Sequence, residues 1–187
     1  SDSFIHNIDF ENNSTTNGSG GGLCSYVYTP LSLDGVDFVD NSAQYGGGLY
    51  HAYYGDLEIS ESMFSDNEAT SSGGGIYVYP GTGHDVTLSS SEFAGNLAAD
   101  DGGGIFAQYV ANLTIEDTIF DGNAAGTSSE GGGLYAYYNT NLEVSGSWFC
   151  GNSAYDGGAA YLTYNTSSNF WSNNVLVENE ASNSGGG

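Results

Sequence analysis

Residues Gly46–Ala69 read GGGLYHAYYGDLEISESMFSDNEA, and the same order of features returns before and after this stretch. Three glycines lead to an aliphatic residue, a tyrosine-rich run, an alternating Leu-x-Ile segment and finally Phe-x-x-Asn. The triplet could be a phosphate-cradling loop or the corner of a repeating coil. A phosphate loop needs a following Lys and the start of a helix. The chain contains no Lys or Arg, and its apolar residues keep no 3.6-residue period. The triplet is therefore an architectural corner, where glycine permits close backbone approach or positive φ.

The repeat is counted directly. The third glycine of each triplet falls at Gly22, Gly48, Gly75, Gly104 and Gly133, becomes Ala159 in GGAAY, and returns as Gly187. Those spacings are 26, 27, 29, 29, 26 and 28 residues. A second marker keeps its own phase: Phe10, Phe38, Phe64, Phe93, Phe120 and Phe149 stand three residues before Asn13, Asn41, Asn67, Asn96, Asn123 and Asn152. Leu176 and Asn179 form a degraded seventh copy. Between the markers lie LSLDGVDF, LEISESMF, VTLSSSEF, LTIEDTIF and LEVSGSWF, whose period of two is that of strands. Short strands at one turn per 26–29 residues, without helices, describe a parallel β-solenoid.

Composition excludes several functions. The chain has 187 residues with 23 Asp plus Glu, three His and no basic residue, a formal charge of −23. No counter-ion release can drive binding to nucleic acid, and anionic membrane surfaces are disfavoured for the same reason. No apolar run approaches the roughly 18 residues of a membrane span, so direct membrane insertion is not expected.

In a solenoid, each motif position becomes a column with a repeat of about 4.8 Å. The Asn13, Asn41, Asn67, Asn96, Asn123, Asn152 and Asn179 column is expected to line a corner and bond coil to coil. The Phe column, with Leu49, Ile76, Ile105 and Leu134, forms the core. The residue after that aliphatic position alternates outward and reads Cys24, Tyr50, Tyr77, Phe106, Tyr135 and Tyr161. Two residues on stand Tyr26, Ala52, Tyr79, Gln108, Tyr137 and Thr163. One face should thus carry an exposed aromatic ladder, either stabilising by stacking or available to a partner.

Before the triplets, Asp101, Glu130 and Asp156 form a carboxylate column, with Asp100 beside it. Stacked like charges invite Ca²⁺, which takes about 6–8 oxygen ligands, although no calcium-loop motif is present. Cys24 and Cys150 lie five coils apart, about 24 Å along the axis. They cannot pair within one solenoid, which leaves Cys24 free or bridged to another chain. His6, His51 and His84 share no spacing and are read as incidental.

Phe-x-x-Asn paired with Gly-Gly-Gly/Ala-Leu/Ile resembles the right-handed parallel β-helices of polymorphic outer-membrane proteins and autotransporter-like passengers, within the pectate-lyase-like superfamily. The resemblance implies an all-β fold, a single right-handed parallel β-helix of six to seven coils, together with surface display and adhesion. Residues 1–187 then form one solenoid domain, uncapped at both ends, as in a segment of a longer repeat protein or an end-to-end assembling subunit. Lyases of that superfamily use an Arg or Lys base, which this chain lacks. A hydrolase would have to run on carboxylates alone, with Asp100 and Asp101 as the candidate pair.

The expected function is a non-enzymatic structural or adhesive element of a secreted or cell-surface fibre or stalk. Its partner would be another copy of itself, laterally or end to end. The alternative is a glycan-binding adhesin using the same tyrosine strip.

Overall fold

The computed structural model describes residues 3–26 and 28–187. Its strands lie in long parallel sheets that run the length of a solenoid. The first face has seven strands, from Ser3–His6 through Leu57–Ser60 to Asn169–Ser172. The second also has seven, from Asp9–Glu11 through Met63–Ser65 to Val175–Val177. The third has six: Leu23–Tyr26, Leu49–Ala52, Ile76–Tyr79, Ile105–Gln108, Leu134–Tyr137 and Ala160–Thr163. A short ladder after the second face runs Ser42–Ala43, Glu68–Ala69, Leu97–Ala98.

Register follows the repeat. Phe38 pairs with Phe10 and Phe64, Phe93 with Phe64 and Phe120, and Phe149 with Phe120 and Leu176. The rings stack at 4.4–5.1 Å between centroids, with interplanar angles of 3–10°. Around them pack Leu33, Ile59, Leu88, Ile115 and Val144 from the first face and Leu49, Ile76, Ile105 and Leu134 from the third, all buried. The inner first-face strands each bury a second aliphatic residue, Leu31, Leu57, Val86, Leu113 and Leu142, so that every coil is covered by its neighbours.

Corners are built on left-handed residues. The first glycine of each triplet has φ between 62 and 72° at Gly20, Gly46, Gly73, Gly102, Gly131 and Gly157. The second needs space instead: a Cβ on Gly74 would lie 2.4 Å from the Gly103 carbonyl oxygen. After the second face, the left-handed residue is Asn12, Asp40, Asp66, Gly95, Gly122, Gly151 or Glu178, and the inward Asn column follows it. In this column the buried asparagines Asn41, Asn67, Asn96, Asn123 and Asn152 each satisfy the whole amide. Asn96 Oδ1 accepts from Asn67 N–H at 3.1 Å and Asn67 Nδ2 at 2.9 Å, while Asn96 Nδ2 donates to Phe64 O and Asn123 Oδ1. A similar device closes the corner after the first face, where Ser62, Ser91 and Ser147 side chains accept N–H groups from the preceding coil.

Candidate functional site

The third face and the corner that follows it carry most of the aromatic residues. The column predicted from sequence is assembled in register: Cys24 beside Tyr50, then Tyr77, Phe106, Tyr135 and Tyr161. Its rings stack at 5.2, 4.7, 5.0 and 5.8 Å, nearly parallel.

The column is not the exposed strip that alternation predicts. Phe106 and Tyr135 are only 8% exposed, and Tyr50, Tyr77 and Tyr161 are half-buried. Stacking covers both faces of each inner ring, and neighbours close the edges: Tyr45 packs edge-on against Tyr77 at 5.3 Å, and Tyr26 tilts against Tyr50 at 5.4 Å. Burial raises the Tyr77 phenol to about 12 and pushes Tyr50 and Tyr135 up as well. The column is principally packing.

The exposed aromatic surface sits two to three residues further on. Of the second sequence column, Tyr26 and Tyr79 are exposed, Gln108, Tyr137 and Thr163 are intermediate, and Ala52 is buried. The next residue is Tyr53, Tyr109, Tyr138 or Tyr164, with φ of 70, 56, 54 and 53°. Tyr54 is also left-handed, at 60°. A left-handed residue with a bulky side chain costs about 1–2 kcal/mol; elsewhere in this solenoid the same conformation falls mostly to Gly, Asn and Asp. Stacking offsets part of that cost: Tyr109–Tyr138 at 5.3 Å, Tyr138–Tyr164 at 4.9 Å and Tyr28–Tyr54 at 5.8 Å are all near-parallel. Tyr28 and Tyr164 remain 76% and 65% exposed.

This corner was missed because period-two alternation stops at the end of a strand. Its signal was nonetheless present, as a Tyr one residue past the strand in AYYG, QYVAN, YYNTN and TYNTS. In two of these the next residue is Asn139 or Asn165, which turns inward to bond across coils: Val110 N–H reaches Asn139 Oδ1 and Asn139 N–H reaches Asn165 Oδ1, both at 2.9 Å.

Charge is absent from this face. From each triplet to the tyrosine corner there is no Asp or Glu, in Gly20–Leu33, Gly46–Gly55, Gly73–His84, Gly102–Ile115, Gly131–Leu142 and Gly157–Val177 alike. All 23 carboxylates fall on the rest of the coil.

The predicted carboxylate column flanks this surface. Glu130 bridges to Asp156, and Glu130 N–H donates to Asp101 Oδ1 at 3.0 Å. A hydrogen bond to Asp101, reinforced by burial and by the charges of Asp101 and Asp156, pushes the Glu130 carboxyl up to about 7. Asp100 instead accepts the Ser71 hydroxyl at 2.7 Å, and Asp156 accepts Asn183 Nδ2 at 2.8 Å. Among the described residues, no group of three or more His, Cys, Asp or Glu side chains comes together as a metal centre.

Cys24 and Cys150 are both unpaired, Cys24 exposed, with burial raising its thiol above the ordinary value against a weaker lowering by Tyr26. His6 and His84 lie 3.2 Å from Asp34 and Asp56. His51 is more than incidental: it is fully buried, with Nε2 2.9 Å from Gly55 O and Nδ1 3.2 Å from Ser25 Oγ.

No curated protein and no solved structure matches the chain. A family model described as right handed beta helix region matches residues 2–181. With the parallel ladders, the stacked Phe and Asn columns and nearly the whole chain within that match, this protein belongs to the right-handed β-helix family.

Proposed function

We propose that this chain is a non-enzymatic structural or adhesive element of an extracellular fibre or surface stalk. Its lateral contact would be the tyrosine corner rather than the inner aromatic column. One observation carries the reading: in a chain of charge −23, the exposed tyrosines other than Tyr155 occupy the one face from which carboxylates are missing in every coil. Two copies approaching elsewhere bring like charges together with no Lys or Arg to compensate. Approaching through this face they meet phenol edges and hydroxyls, which give contact area and hydrogen bonds at low entropic cost. The Asp101–Glu130–Asp156 column at its flank would make assembly responsive to pH and to divalent cations.

The glycan-binding reading keeps a narrower footing. Rings stacked on one another present edges, so a sugar could lie flat only on end rings such as Tyr164 and Tyr28. The two readings separate by what drives association. Self-assembly rises with protein concentration alone, whereas glycan capture follows added sugar and leaves the protein monomeric without it. A chain that stays monomeric at every concentration and is retained on a neutral glycan would replace the first reading by the second.

A further inference from the structure

We propose that Tyr138 and Tyr164 form an oxidative cross-linking site, where a haem peroxidase with hydrogen peroxide joins two successive coils through a dityrosine bond. The inference concerns the chemistry of the tyrosine corner and stands whether or not copies assemble through it.

The geometry selects the pair. The two rings stack at 4.9 Å between centroids and 11° between planes, and both are exposed. Because they stack face to face, their edges are what solvent meets, and the edge carries the phenol oxygen and the ring carbons beside it. These are the atoms that phenol coupling uses. Tyr109, stacked on Tyr138 at 5.3 Å, and Tyr137, edge-on at 4.5 Å, extend the group of rings over which an oxidised site can relax. Tyr28 and Tyr54, parallel at 5.8 Å and both highly exposed, repeat the arrangement earlier in the chain.

The reaction balances with one peroxide. Each phenol gives up one electron and one proton to become a phenoxyl radical, and the peroxide takes up two electrons and two protons to become two waters. The radicals join through the carbons ortho to their oxygens. Each ortho hydrogen then moves to the oxygen of its own ring, restoring both phenols. Two rings already in contact have a large effective concentration for this step, whereas rings of two separate molecules meet only by diffusion, at a rate that falls with dilution. The link should therefore form within a molecule first. It cannot be replaced by an amine-based cross-link, because the chain has no Lys.

The test treats the intact chain with peroxidase and hydrogen peroxide at low protein concentration. Dityrosine fluorescence is read in the monomer band. Trypsin has no site, so the product is cut at acidic residues; this separates Gly131–Glu143, carrying Tyr138, from Gly157–Glu178, carrying Tyr164. The expected result is a joined peptide containing both, with the bond at Tyr138 and Tyr164, and a thermal midpoint raised by roughly 5–10 °C from closing a loop of about 26 residues. Tyr164→Phe should remove that peptide and Tyr155→Phe should not. Tyr155 is the internal comparator, exposed and without a ring partner among the described residues. No fluorescence in the monomer, or bonds that involve Tyr155 as often as Tyr138 and Tyr164, would overturn the proposal.

Discussion

Asn67 donates its backbone N–H and its side-chain Nδ2 to the same oxygen, Oδ1 of Asn96, in the next coil. Asn96 does the same to Asn123, and Asn123 to Asn152. The column is a second backbone, running perpendicular to the chain, in a place where no water reaches.

Removing one member strands partners on both sides. Asn96→Ala leaves two donors of Asn67, the Phe64 carbonyl and an acceptor site on Asn123 Oδ1 without a bond inside the core. At about 1–3 kcal/mol for a buried group left unsatisfied, and with partial relaxation, the expected loss is about 3–5 kcal/mol in urea unfolding. Asn179→Ala, at a part-buried position, should cost clearly less. Equal losses would show that burial is not what gives the column its worth.

Glycines of one triplet serve two different needs, and substitution separates them. Gly74 has no positive φ, but its Cβ would meet the Gly103 and Leu97 carbonyl oxygens at 2.4 and 2.6 Å, backbone atoms that cannot move alone. Gly83 has φ of 99° and nothing within 4 Å. Gly74→Ala should therefore cost more than about 3 kcal/mol, or prevent folding. Gly83→Ala should cost about 1 kcal/mol from backbone strain alone. Thermal midpoints of the two variants check the order.

The pH dependence has two opposing parts. Burial lowers the His51 pKa, so between the folded value and the ordinary 6.5 the unfolded chain binds more protons. The stability due to neutral His51 is full above 6.5 and is lost as pH falls. Glu130 runs the other way: raised to about 7 from 4.5, it binds more protons when folded, so its share is present at low pH and is lost as pH rises through 7. His51→Leu should flatten the acid loss. Glu130→Gln, which keeps a donor toward Asp101, should be more stable than the wild type at about pH 8 and equal to it at about pH 4. Urea midpoints across that range test both signs.

The tyrosine corner can be separated from the fold. Tyr138→Asn relieves the left-handed strain and loses two ring stacks, at about 0.5–1.5 kcal/mol per stack. With the strain worth about 1–2 kcal/mol, net stability should change by no more than about 2 kcal/mol. Tyr109→Asn and Tyr164→Asn should behave alike. A loss of several kcal/mol in any of them would make the corner a structural device and remove its claim to be a contact surface.

The coil, its length and its inward columns were legible in the sequence because Phe, Asn and the glycine triplet each hold one register position over six or more coils. The outward column of Tyr50, Tyr77, Phe106, Tyr135 and Tyr161 was legible as a column but not as a buried one. Alternation reports which way a side chain leaves the sheet, and neighbours such as Tyr45 and Tyr26 decide whether solvent reaches it. The corner tyrosines were hidden for a related reason. Tyr53, Tyr109, Tyr138 and Tyr164 lie just beyond the strand, in a left-handed conformation that propensity assigns to Gly or Asn. His51 was passed over because its partners, Ser25 and Gly55, come from the coil before and from the turn that follows its strand.

Sedimentation velocity on the 187-residue chain, over a range of concentrations in millimolar calcium and again in chelator, tests the central claim most directly. The account predicts species that grow with concentration in calcium, shrink in chelator, and are lost in the folded Tyr109→Asn/Tyr138→Asn/Tyr164→Asn variant. A monomer under both conditions, or assembly that the triple variant leaves intact, would contradict it.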